Sequence, residues 1–283
     1  MSQDTVYPVS VTSKNQALIL DEDYQRLYQQ SIEEPEVFWR KQAQRLDWIK
    51  PFTEVKDVSF AKEDLHIRWF ADGTINASVN CLDRHLQEKG DQTALIWEPD
   101  QEGGTVREYS YRELHAAVCQ LANGLKFLGT EKGDVVTIYL PMVPEAIICM
   151  LACARIGAIH SVVFAGFSPD ALAGRIDDGN SKLVITSDEG RRGGKTVALK
   201  SNVDSAIQHC LNGSVENVIV LKHTQADVPW IDGRDHCYHS LCSYQSTDCV
   251  AEELSAEDPL FILYTSGSTG KPKRVLHTNG GYL

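Results

Sequence analysis

Two clusters in this sequence have the residue types of an anion site. The first is Thr265, Ser266, Gly267, Ser268, Thr269, Gly270 and Lys271, which follows the apolar run at 260–264 without a break. Gly267 and Gly270 have no Cβ to obstruct a positive φ, so the backbone can turn its N–H groups toward one point. The four hydroxyls add donors, and Lys271 and Lys273 add positive charge. Together they make an anion cradle whose natural guest is a polyphosphate. Spacing excludes two other phosphate loops. A Walker A loop needs a glycine five places before Gly270 and a Ser or Thr after Lys271; those positions hold Thr265 and Pro272. A dinucleotide fingerprint needs G-x-G-x-x-G opening a helix, and here only G-x-x-G stands before Pro272. The plainer alternative is a Gly/Ser turn between strands, against which weigh seven consecutive residues that all suit phosphate.

The second cluster follows a strand expected at 182–186. It runs Ser187-Asp188-Glu189-Gly190-Arg191-Arg192-Gly193-Gly194-Lys195, with three cations and three glycines. Open α/β sheets bind ligands beyond the carboxyl ends of their strands, and arginine offers forked donors to phosphate. A solvated glycine turn with ordinary surface arginines accounts for the same residues at least as well.

Residues 264–273, Y-T-S-G-S-T-G-K-P-K, resemble the signature loop of the adenylate-forming enzymes: acyl-CoA synthetases, luciferases and peptide-synthetase adenylation domains. The flanks D-P-L-F-I-L-Y-T and V-L-H-T-N-G-G-Y-L are similar to AMP-forming acetyl-CoA synthetase. The resemblance runs from Tyr24 to Leu283 and covers less than half of such an enzyme. It implies ATP, with Thr265, Ser266, Gly267, Ser268, Thr269, Gly270 and Lys271 on the β- and γ-phosphates. It implies coenzyme A, whose 3′-phosphate and adenine end would meet Arg192, Gly193, Gly194 and Lys195. Where the family often has arginine, Lys195 keeps the charge but loses the fork. Phe164 and Gly166, in F-A-G-F-S, resemble a neighbouring coenzyme A-side turn; alternatively, Phe164 and Phe167 are core residues at a strand end. Magnesium is implied as the polyphosphate's counterion, with no ligand to name.

The implied reaction has two steps, acetyl-adenylate formation from acetate and ATP, then transfer of the acetyl group to the coenzyme A thiol. The implied acetate pocket, the adenine and ribose contacts and a catalytic lysine fall past Leu283, so no residue here is named a general base. His160 and His277 read as satisfied or surface histidines. A non-catalytic nucleotide-binding fragment and a propionate-preferring enzyme remain alternative readings. One departure is sharp: glycine usually follows P-K, and here it is Arg274. If that place needs a positive φ, arginine adds roughly 1–2 kcal/mol of strain, and damage to the loop is expected.

The implied partners are the small molecules acetate, ATP and coenzyme A. With 27 basic against 39 acidic residues the net charge is −12, which argues against nucleic acid. The longest apolar runs fall short of a membrane span, and the first twenty residues lack a signal peptide's apolar core. Eight cysteines without zinc-site spacing read as reduced thiols of a cytosolic protein. Oligomeric state is not indicated.

These residues need a scaffold. Residues 1–20 read as a loose arm. Residues 21–82 resemble the acetyl-CoA synthetase N-terminal extension, with Asp21 capping a helix to Gln30 and Pro35 opening a second. Residues 83–283 resemble the adenylation domain, cut after the phosphate loop. Residues 76–87 read as one helix, and Ser110-Tyr111-Arg112-Glu113 as a capping box. The helix that follows should turn Leu114, Val118, Leu121, Leu125 and Leu128 inward. Pro144 and Ser168-Pro169 open further helices, and Gly157 closes one. Strand and helix alternate, so the expected class is α/β, with a parallel or mixed sheet covered by helices behind an N-terminal helical extension. Residues 237–253 read as a polar surface excursion. The strand at 260–264 is expected to leave an apolar sheet face open.

Overall fold

The computed structural model describes residues 7–265 and 272–283. The alternating pattern closes into a seven-stranded sheet: β1 (Val135–Tyr139), β2 (Ile159–Val162), β3 (Leu183–Ser187), β4 (Asn217–Leu221), β5 (Asp235–Cys237), β6 (Pro259–Thr265) and β7 (Lys273–Thr278). Their spatial order is β5-β4-β3-β1-β2-β6-β7. Neighbours run parallel throughout, except that β7 returns antiparallel to β6. The sheet is therefore mixed, with its one antiparallel pair at an edge.

Strands β1, β3 and β4 are buried along nearly their whole length, which is why each reads as a continuous apolar run. Period-two alternation sorts their side chains between two cores. Val136, Ile138, Leu183, Ile185, Ile219 and Leu221 face one way, under helices α1 (Tyr111–Phe127), α2 (Pro144–Ile156) and α5 (Tyr238–Ser243). Tyr139, Val184, Val218 and Val220 face the other way, under α3 (Pro169–Gly179) and α4 (Leu199–His209).

The local signals act as their chemistry requires. Ser110 Oγ accepts from the Glu113 N–H at 3.2 Å, and the Ser110 N–H donates to Glu113 Oε2 at 2.8 Å, closing the capping box of α1. Leu114, Val118, Leu121 and Leu125 are buried beneath it, with Leu128 packed partly buried against the same core. Pro144 occupies the first turn of α2, and Gly157 ends it with φ of +73°. A Cβ there would also stand 2.9 Å from Leu254 Cδ2.

Several expectations change. Residues 237–253 are not a surface excursion, since they contain α5 and bury both Tyr238 and Cys249. Isolated apolar anchors hold a mostly polar stretch, with Leu241 reaching Gly124 of α1 so closely that a Cβ there would lie 3.0 Å from its Cγ. Residues 76–87 break into Ala77–Cys81, a 3-10 turn Asp83–His85, and Leu86–Lys89. The break at Leu82 turns Asp83 toward Arg155. His160 is not a satisfied histidine. It is buried in β2 against Phe261, with ring centroids 5.3 Å apart, and Nδ1 has no hydrogen-bond partner among the described residues. Burial pushes its pKa down to about 4, so it is neutral. His277 stacks on the same Phe261 at 4.5 Å.

Contacts divide the chain into two compact units, one up to Leu46 and one from Asp47 to Leu283. The first holds the helices Asp21–Glu33 and Pro35–Ala43 and, ahead of them, a short exposed helix, Val11–Gln16. Leu20 is the N-cap of Asp21–Glu33 and Asp21 stands in its first turn, so Asp21 complements the helix dipole and does not cap. Along β6 and β7, Leu263 and its partner Val275 are exposed on one face of the sheet and Leu276 on the other, opposite the buried Ile262.

Candidate functional site

After β1 the chain crosses to β2 on one side, then returns over β1 to β3 on the other. The connections leaving the carboxyl ends of these strands diverge, which opens a crevice in such sheets. A cleft of about 860 Å³ lies there, lined by residues following β1 (Leu140, Met142), β2 (Phe164, Gly166), β3 (Arg191, Arg192) and β4 (His223, Thr224).

Three residues that the resemblance assigns to coenzyme A meet in this cleft, Phe164, Gly166 and Arg192, beside Gly190 and Arg191 of the same glycine-rich cluster. The Arg192 guanidinium lies 4.7 Å from the centroid of the Phe164 ring. Phe164 is 49% exposed and Phe167 38%, so neither is a core residue. Gly166 lets the turn fold under the ring, since a Cβ there would lie 2.4 Å from Phe164 Cε1. Gly193 and Gly194 have φ of +54° and +75°. They form the two-residue tip of a hairpin in which Gly190–Arg192 pairs with Lys195–Val197, Arg192 opposite Lys195. Left-handed backbone at both tip positions is what such a tight hairpin needs, and glycine supplies it. The glycine turn and its arginines are thus exposed; Arg191 and Arg192 line the cleft, whereas Gly193, Gly194 and Lys195 stand outside its lining.

A further wall had no signal in the sequence. The hairpin of Thr93–Trp97 and Arg107–Ser110 brings Trp97 and Arg107 to the cleft. The Trp97 indole N–H donates to the Met142 carbonyl at 2.7 Å. Arg107 lies 5.3 Å from the Trp97 ring centroid and donates to Glu145 Oε1 at 3.0 Å and to the Tyr109 hydroxyl. Its loop reaches the glycine hairpin: the Gly193 N–H donates to Asp100 Oδ2 at 2.6 Å, and Arg191 donates to Gln101 Oε1. Below, the buried Asp188 carboxylate accepts from the N–H groups of Glu189, His223, Thr224 and Ala226 at 2.7–3.1 Å. That cage fixes the 222–226 loop and places His223 and Thr224 at the cleft.

Of the first cluster, Thr265 is exposed at the carboxyl end of β6 and pairs with Lys273 of β7. Ser266, Gly267, Ser268, Thr269, Gly270 and Lys271 lie outside the described residues. The strain expected at Arg274 does not arise. Arg274 lies within β7 opposite Tyr264, outside the set of positive-φ residues, and half-exposed. It turns outward and donates to the Asp178 carbonyl at 3.1 Å. An extended strand accepts any L-residue, so a glycine there is not required by φ.

Two other arrangements carry no nucleophile chemistry. Cys119 Sγ lies 3.6 Å from His115 Nε2 and 3.9 Å from Nδ1, and Asp83 Oδ1 lies 3.4 Å from Nε2, but Cys119 is fully buried, so no substrate reaches its thiol. The buried thiols of Cys149 and Cys153 are pushed up by desolvation, Cys153 to about 12, and are inert at neutral pH. Among the described residues no group of three or more His, Cys, Asp or Glu could hold a metal, and no helix is long and apolar enough to cross a membrane.

Residues 82–283 match the family model described as AMP-binding enzyme. The chain belongs to the AMP-binding enzyme family. Residues 24–81 of this family member match the model described as acetyl-coenzyme A synthetase N-terminus. It is 59% identical over 279 residues to an acetyl-coenzyme A synthetase of Novosphingobium aromaticivorans, covering 99% of this chain and 43% of that protein. It is 57% identical over 283 residues to one of Shewanella amazonensis, covering 100% of this chain and 43% of the relative. Its structure is similar to acetoacetyl-CoA synthetase from Streptomyces lividans, with a TM-score of 0.80 and 26% identity over 91% of this chain and 38% of that one. This AMP-binding chain therefore spans less than half the length of the relatives it matches.

Proposed function

We propose that this chain is the N-terminal part of an AMP-forming acetate–CoA ligase. The observation that carries the reading is the meeting of Phe164, Gly166 and Arg192 in one cleft at the carboxyl edge of a parallel sheet, in a chain 59% identical to a protein named acetyl-coenzyme A synthetase. The reaction has two displacements. A carboxylate oxygen of acetate attacks the α-phosphorus of ATP, forming acetyl-adenylate as the bond to the leaving pyrophosphate breaks. The thiol sulfur of coenzyme A then attacks the acyl carbon, the thiol proton is lost, and AMP leaves.

The protein's part in such chemistry is placement and charge neutralisation. Thr265, Ser266, Gly267, Ser268, Thr269, Gly270 and Lys271 hold the β- and γ-phosphates. The adenine end of coenzyme A lies against Phe164 over Gly166, and its 3′-phosphate lies at Arg192, Gly193, Gly194 and Lys195. An aromatic face beside a guanidinium suits a purine with a phosphate next to it. Magnesium, expected as counterion to the polyphosphate, finds no ligand set among the described residues, and no step is assigned to it. The eight free thiols suit a reducing cytosol.

Calorimetric titration of coenzyme A and ATP onto the chain tests this reading. Arg192→Ala should weaken coenzyme A roughly tenfold, the loss of one forked charge-assisted contact, and leave ATP binding unchanged. Lys271→Ala should do the converse. Coenzyme A affinity unchanged by Arg192→Ala would overturn the reading.

A further inference from the structure

The tip of the glycine hairpin is already engaged by an anion of the chain itself. In a two-residue hairpin the tip amides lie outside the ladder of paired strands and must find another acceptor. The Gly193 N–H has found Asp100 Oδ2 at 2.6 Å, the short distance of a charge-assisted bond. Asp100 is exposed, on the loop joining Thr93–Trp97 to Arg107–Ser110, and that loop makes a second contact with the hairpin through Gln101 and Arg191. Arg191, Arg192 and Lys195 flank the same tip. The site thus sets a carboxylate on the amide where three cations and a left-handed turn would otherwise favour an incoming phosphate.

We propose that Asp100 is a specificity-determining residue of the coenzyme A site. Its carboxylate occupies the Gly193 amide, and the terminal 3′-phosphate of coenzyme A must take that donor from it. The inference rests on the proposed coenzyme A reading of this cleft. Binding is then an exchange of one anion for another, so affinity for the phosphorylated ligand is held below what the cations alone would give. A ligand without the 3′-phosphate does not compete for the amide and does not register the carboxylate. Simple anions such as inorganic phosphate, with no adenine to stack on Phe164, are excluded by the same competition.

The test compares coenzyme A with dephospho-coenzyme A on the 283-residue chain by isothermal titration. Asp100→Asn keeps an oxygen acceptor for the Gly193 N–H but removes the charge. It should tighten coenzyme A roughly three- to tenfold, the scale of one like charge about 4 Å away under water-like screening, with dephospho-coenzyme A unchanged. Asp100→Glu, which keeps the charge, should not tighten coenzyme A. Unchanged or weaker coenzyme A binding by Asp100→Asn, or an equal gain for both ligands, overturns the inference. If the unaltered chain prefers coenzyme A to its dephospho form while Asp100→Asn changes nothing, the inference falls and the site reading stands. If it binds neither ligand, or binds both equally, the site reading falls and takes the inference with it.

Discussion

Arg155 and Arg192 stand at opposite edges of one sheet and are used in opposite ways. Arg155 is in the last turn of α2, just before β2 begins. Only 4% of its side chain is exposed, and it forks onto Asp83 at 2.8 and 2.9 Å while donating to the Cys249 carbonyl at 2.6 Å. Arg192 follows the carboxyl end of β3, exposed, with a phenylalanine face as its neighbour. At the amino edge the charge is consumed in tying helix, strand and loop together. At the carboxyl edge the two arginines of the glycine hairpin meet neutral groups, an aromatic ring for Arg192 and an amide for Arg191. Losing a charge should therefore unfold the molecule at one edge and empty a site at the other.

The largest expected effect is at the amino edge. Arg155→Ala leaves the Asp83 carboxylate and the Cys249 carbonyl without their donor. It should cost about 3–5 kcal/mol in urea unfolding, whereas Arg192→Ala should stay within about 0.5 kcal/mol. Similar losses for the two would erase the distinction between the edges.

A smaller effect follows from titration at the same edge. Hydrogen bonds to Asp83 and then Cys119 raise the His115 pKa from its ordinary 6.5 to about 9. The folded state therefore holds the proton more tightly than the unfolded chain. Its contribution is fully present below pH 6.5 and is lost as pH rises through about 9. The melting temperature should fall across that window, and His115→Gln should flatten the fall. A slope that His115→Gln leaves intact would assign it to another group.

The smallest expected effect is at β7. Arg274→Gly removes a side chain from an unstrained strand, so it should destabilise by roughly 0.5–1 kcal/mol. A stabilised Arg274→Gly protein would restore the idea that this position needs glycine.

What the sequence made legible was whatever is local. Strands β1, β3 and β4 are apolar runs because both faces are covered, and the capping box of α1 is complete within four residues. Phe164 and Arg192 were visible as a pair only through family resemblance, because nothing near either residue indicates that they stack. Trp97 and Arg107 were missed altogether. Their strands were readable, but the contact joining Asp100 to Gly193 spans 93 positions, and no pattern in either segment encodes it. Residues 237–253 misled for a related reason, since Tyr238 and Cys249 anchor the stretch singly and without periodicity. Arg274 misled because a glycine preference was taken to mean a positive φ, and the backbone there is extended.

The central claim is that the cleft beyond β1, β2 and β3 receives coenzyme A through residues that are not needed to hold the fold. Its most direct test is a backbone-amide NMR map of the chain titrated with coenzyme A. Perturbations should concentrate at Phe164, Gly166, Arg192, Gly193 and Gly194, extend to Asp100 and Gln101, and leave Asp83, His115 and Arg155 unmoved. Shifts centred on the Asp83–Arg155 edge, or no shifts at millimolar ligand, would contradict it.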